Sequence, residues 1–97
     1  MHTIKNNSNL DLDQMRPFLK SFLPFAQQKM GYDRPVSINF VSDPQNAQKT
    51  LGKTAFYDPN NDSISIYTDN RHPKDILRSL SHELVHHAQN SRGDFDE

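Results

Sequence analysis

The sequence predicts an α+β domain in the order helix, three short strands, helix, and three patterns carry that prediction. Apolar residues recur at helical spacing between Met15 and Met30. Apolar and polar residues alternate in 36–40 and again in 63–68. A run without helix breakers then extends from Ile76 to Ala88. The expected architecture is an N-terminal helix, a small three-stranded sheet and a C-terminal helix, with one or both helices covering the sheet. A single domain over residues 1–97 accommodates all of it.

Residues 1–9 are polar and Asn-rich, so a loose start is expected. Met15, Phe18, Leu19, Phe22, Ala26 and Met30 share one face of the first helix. Pro17 suits a first turn, whereas Pro24 falls mid-helix and is expected to kink or split it; Gly31 supplies the stop. Val36, Ile38 and Phe40 alternate with Ser37 and Asn39 as a half-buried strand does. Thr54–Tyr57 is a weaker second strand, and Ile64 and Ile66 mark one face of a third. The intervening Asp58-Pro59-Asn60-Asn61-Asp62 is a hairpin loop in composition. It lacks the central Gly and closing Glu of a calcium-binding loop, so turn chemistry accounts for its acids. In the last helix Pro73 fits the first position and Asp75 the positive end of the dipole, and Gly93 is placed to end the helix.

Composition narrows the function. Leu, Ile, Val and Phe make up 22 of 97 residues, just above the range of disordered chains. A mean hydropathy of -0.89 leaves a small core that a bound metal or a partner would help to stabilise. Eleven Lys and Arg against twelve Asp and Glu give no basic footprint for nucleic acid. No window is apolar enough to span a membrane, and the polar N-terminus has no signal-peptide core, so a cytoplasmic setting is expected. The absence of Cys excludes disulfides, Cys-ligated zinc and a thiol nucleophile.

His82-Glu83-Leu84-Val85-His86 is an H-E-x-x-H sequence, in a chain that holds only five His and two Glu. Residues four apart on a helix face the same way, so two imidazoles converge on one metal ion. The Glu next to the first His reaches the water on that metal rather than the metal itself. Zinc lowers the pKa of such a water to about 7, and the carboxylate takes its proton as it attacks a carbonyl. At about 100° per residue, Ile76, Leu77, Leu80 and Leu84 gather on one side of the helix and His82 and His86 project from the other. Core histidines would lie inside the apolar stripe, and these two lie outside it. His87 returns to the Leu80 side, as a packed or hydrogen-bonded residue, and His72 reads as a helix-start residue. Tyr57, Tyr67 and Arg71 stand at strand ends where an oxyanion helper could sit, but strand tyrosines are commonly packing residues.

The stretch Leu80-Ser81-His82-Glu83-Leu84-Val85-His86-His87-Ala88 resembles the active-site helix of zincin metallopeptidases. Gly52–Asp58 and Ile64–Ile66 are similar to the strand pair that precedes that helix in small prokaryotic, archaeal and phage zincins, most of all small phage-encoded peptidases. The resemblance covers roughly residues 36 to 92, and its specific part is the helix. It implies zinc held by His82 and His86, Glu83 as general base, and an extended polypeptide substrate lying along an edge strand.

A catalytic zinc takes three protein ligands and a water, and the third ligand stays open. Gln89 and Arg92 exclude the metzincin pattern, and the lack of Cys excludes the deformylase one. Three sources remain. Asp94, Asp96 or Glu97 of the tail could fold back, a second molecule could lend a carboxylate, or the chain is a shortened gluzincin-like protein whose ligand Glu lies downstream. The shortened chain is the favoured account. The expected function is zinc-dependent peptide hydrolysis. The alternative is a catalytically incompetent zincin-like domain that binds a metal or a protein partner.

Overall fold

Backbone pairing, more than side-chain pattern, decides how large the sheet is. The computed structural model describes residues 2–8, 11–43, 54–69 and 71–93. Its elements are β1 (His2–Asn7), α1 (Leu12–Met30), β2 (Val36–Val41), β3 (Ala55–Asp58), β4 (Ser63–Tyr67) and α2 (Pro73–Ser91). The strands form one sheet in the order β1-β2-β4-β3. β1, β2 and β4 are mutually parallel, and β3 pairs antiparallel with β4 across the expected hairpin. The α+β class stands, but the sheet has four strands rather than three.

The extra strand is β1, so residues 2–7 are ordered where a loose start was expected. It pairs with β2 from His2 opposite Val36 to Asn7 opposite Val41. As an edge strand that is exposed over most of its length, it needs no apolar alternation, and Ile4 is its only apolar residue. That is why the sequence pattern does not reveal it.

The inner face of the sheet is set by register. Ile38 lies opposite Ile64, and Phe40 opposite Ile66, all four fully buried. Met15, Leu19, Leu23 and Ala26 of α1 and Ile76, Leu80, Leu84 and Ala88 of α2 join them, with Tyr32, in one core cluster. The opposite face carries Ser37, Asn39, Ser63 and Ser65, all half-buried. The domain is therefore a slab 18 Å through its thinnest direction.

Two details of α1 differ from expectation. The helix runs unbroken through Pro24 as well as Pro17. Both prolines, and the residues four before them, Asp13 and Lys20, lie on the exposed side, where carbonyls deprived of an N–H partner face water. Phe18 is half exposed, whereas Leu23 is buried. Leu23 lies about 40° from Leu19 around the helix and Phe18 about 100°, which puts only Leu23 within the stripe. The C-cap is the Gly31 that the sequence indicated, and the N-cap is Asp11. Asp11 accepts a hydrogen bond from the Asp13 amide, and Gly31 ends α1 at φ 76°, a left-handed conformation that suits glycine.

Among the described residues no helix is long and apolar enough to cross a membrane. The core makes a direct prediction. Leu80→Ala, at a position with no solvent exposure, is expected to cost about 2–5 kcal/mol in urea unfolding. Phe18→Ala should cost less than about 1 kcal/mol.

Candidate metal centre

Rotation of α2 about its axis decides which residues meet at its surface. Its start is fixed locally: Pro73 takes the first position, and the His72 ring accepts a hydrogen bond from the Lys74 amide at 3.1 Å. His72 is thus the helix-start residue the sequence indicated. With Ile76, Leu80, Leu84 and Ala88 in the core, His82 is exposed and His86 half-buried on another side of the helix. Glu83 lies at the border of the apolar stripe and retains 8% exposure.

These three side chains come together. One ligand atom from each of His82, Glu83 and His86 falls within 4.8 Å of the others. The two Nε2 atoms stand 3.3 Å apart, with the rings nearly perpendicular at 86°. Two imidazole nitrogens bound at about 2.0–2.1 Å to one tetrahedral ion are separated by roughly 3.3 Å. The donor set and its spacing therefore fit a zinc-sized cation. No other His, Asp or Glu joins the group among the described residues. Asp94, Asp96 and Glu97, the tail candidates for a third ligand, lie outside the described residues.

β3 forms the other wall. Beside His86 and Glu83 lies a concavity of about 410 Å³ bounded by Ala55, Phe56, Tyr57 and Pro59. Beside His82 and Glu83 lies one of about 240 Å³ bounded by Thr54, Ala55, Arg78 and Ser79. A larger hollow of about 450 Å³ sits between β1 and α1, lined by residues such as His2, Arg16 and Leu23, and includes none of the three site residues.

Arg71 is a clamp rather than an oxyanion helper. Its guanidinium donates to the carbonyls of Thr54 (3.1 Å), Tyr67 (2.9 Å) and Asp75 (2.8 Å) and to Ser79 Oγ (2.6 Å). The start of β3, the end of β4 and the first turns of α2 are thereby tied together. Tyr67 points to the sheet face opposite Ile64 and Ile66, against Phe56, away from the histidine pair.

Behind the site, His87 is completely buried and hydrogen-bonded, as its place on the apolar side of the helix indicated. Its Nε2–H donates to the Arg34 carbonyl at 2.9 Å, because a carbonyl can only accept. Its Nδ1 stands 2.9 Å from Tyr57 Oη, whose hydroxyl donates to Asp62 Oδ1 at 3.1 Å. Asn90 Nδ2 donates to Tyr57 Oη at 2.9 Å and to Asp62 Oδ1 at 3.2 Å. Arg34 Nη2 approaches the two Asp62 oxygens at 2.8 and 2.9 Å. Burial pushes the Tyr57 hydroxyl up, and burial raises that of Tyr32, which packs edge-on against His87, to about 12. Burial alone would raise the Asp62 carboxyl, but hydrogen bonds from Arg34 and Tyr57, with the Arg34 charge, outweigh it and hold the group below its ordinary range.

The sequence located the histidine pair and its carboxylate, the structural role of His87, and the start of α2. It missed the Arg34–Asp62–Asn90 network, whose partners are 28 or more residues apart in all but the hairpin contacts. It also missed Arg78, although a residue four before His82 on one helix face is a readable signal. No protein-family model, curated protein or solved structure matches the chain.

Asp62 carries a pH prediction. A carboxyl held below its unfolded value stabilises the fold above that value, about pH 3.9, and the contribution fades as pH falls through the lower folded value. Asp62→Asn should therefore be less stable than the parent at pH 7. The gap in chemical-denaturation midpoint should close as the pH drops below about 4. A gap that stays constant down to strongly acid pH would show that the carboxylate charge is not its source.

Proposed function

We propose that the chain is a zinc-dependent peptidase of zincin type, acting on extended polypeptide. The observation that carries this reading is the 3.3 Å separation of His82 Nε2 and His86 Nε2, with the Glu83 carboxylate in the same group. When bound, zinc would bring a coordinated water to a pKa of about 7 and polarise a substrate carbonyl.

The chain's own residues have separable tasks. His82 and His86 would hold the ion. Glu83, at the border between core and cleft, accepts a proton from the attacking water on a carboxylate oxygen and delivers it to the departing amine. β3 is the last strand in the sheet order on this side, and an extended polypeptide lying beside it would run past the histidine pair. Arg71 keeps that strand at a fixed distance from α2. The resemblance of the α2 sequence to the zincin active-site helix supports the same assignment.

One observation favours a second reading. Only His82, Glu83 and His86 form the group among the described residues. If Glu83 itself serves as the third ligand, it is no longer available as a base, and the domain holds its metal without turnover. Tight one-to-one zinc with no cleavage of any unstructured substrate would favour that reading.

Two experiments test the hydrolase. Glu83→Gln should retain one zinc per chain by elemental analysis while cleavage of an unfolded protein falls by about 10²–10⁴-fold. Equal cleavage by parent and variant would rule the mechanism out. Zinc at about a hundred times its dissociation constant should stabilise the parent by about 2.7 kcal/mol in thermal unfolding. His82→Ala and His86→Ala should each lose most of that gain, and a parent protein indifferent to zinc and to chelators would remove the metal from the account.

A further inference from the structure

The two concavities beside the His82–Glu83–His86 group differ in chemistry. The one beside His86 is lined by Ala55, Phe56, Tyr57 and Pro59 and has no Lys or Arg among its residues. The one beside His82 is lined by Thr54, Ala55, Arg78 and Ser79, and Arg78 is the cation among its residues. Arg78, His82 and His86 form a single row along α2, one residue every four, so each step advances about 6 Å along the helix axis.

We propose that Arg78 makes the His82-side concavity a carboxylate subsite, so that preferred substrates carry a carboxylate on that side of the reacting bond. The inference rests on the peptidase reading above and names the class of peptide it accepts. An ion held between His82 and His86 lies about 9 Å along the axis from Arg78, and an extended peptide advances about 3.3 Å per residue, which places the carboxylate two to three residues from the bond.

The charges around Arg78 favour this use. Its present partner is Asp75, at 3.7 Å, with both side chains largely exposed (81% and 52%). Such a long, hydrated contact yields readily to a carboxylate that meets the guanidinium at shorter range, with two parallel hydrogen bonds. Glu83 also lines this concavity, but it lies about 140° around the helix from Arg78, so a carboxylate held by the guanidinium sits at the end away from it. Arg71 already donates to Thr54, Tyr67, Asp75 and Ser79 and is not the recognition group. The carboxylate has two possible sources, an Asp or Glu side chain or the free end of the peptide.

Binding to zinc-loaded Glu83→Gln protein reads the subsite without turnover. The probes are fluorescent peptides of one sequence with Glu, Gln or Lys at each position near the centre, each as free acid and as C-terminal amide. Glu should bind about three- to tenfold more tightly than Gln at one position, and less so as salt is raised. Adding Arg78→Gln should abolish the preference, and Arg78→Glu should turn it toward Lys. A preference that survives amidation assigns the carboxylate to a side chain, and one that follows the acid-to-amide change assigns it to the chain end. Identical ranking of the peptides by the Arg78 and Arg78→Glu proteins, or no binding of any peptide, overturns the subsite. Cleavage by the zinc-loaded parent is measured separately. Cleavage without carboxylate preference sinks the subsite and leaves the peptidase, whereas carboxylate-selective binding without cleavage of any peptide sinks the peptidase and leaves the subsite.

Discussion

Everything at the candidate site depends on the seating of α2 against the sheet. Ile76, Leu80 and Leu84 have no measurable exposure and Ala88 only 2%, so a rotation of the helix would lift apolar surface out of the core. That cost fixes the helix, and the fixed helix points His82 and His86 out at adjacent turns with Glu83 at the margin. The histidines need no contact with one another to be aligned. Their separation is a by-product of hydrophobic burial on the opposite side, which holds them in place.

Burial alone would leave the β3–β4 hairpin free to shift along α2, and polar contacts prevent it. At one end Arg71 ties β3 and β4 to the first turns of the helix. At the other, Tyr57 and Asp62 are tied to His87 and Asn90, and Arg34 closes the network from the segment before β2. No buried side-chain nitrogen or oxygen among the described residues lacks a partner. A fully satisfied network of this kind adds directionality that a small apolar core cannot supply. Placing it at the two ends of the hairpin leaves the middle, Ala55 to Tyr57, facing the histidine pair.

Legibility followed burial. The core positions of β2, β4 and α2 were readable because one face is apolar and the other is not, and the same contrast exposed His82 and His86. In α1 the stripe was readable but not its edge, where Phe18 and Leu23 exchange places. Strand β1 was not readable, since an edge strand is held by main-chain groups that every sequence shares and its side chains face mostly water. The Asp62 network escaped for a different reason: it joins residues distant in sequence, and a single Asp in a turn looks the same whether or not an arginine meets it. The α+β class was thus predictable while the strand count was not. The metal-ligand pair was visible, and the wall facing it was only partly so.

Asp62 joins two demands in one residue. Its backbone adopts a left-handed conformation, φ 49°, and its carbonyl accepts a hydrogen bond from the Ser37 amide at 3.0 Å. Its carboxylate at the same time binds Arg34. Glycine would suit the first demand and forfeit the second, glutamate the reverse, and asparagine would meet the geometry while giving up the charge. A chain that lost the aspartate would most easily recover by changing Arg34 as well, which makes the pair a place where two distant positions are expected to vary together across descendants of this sequence.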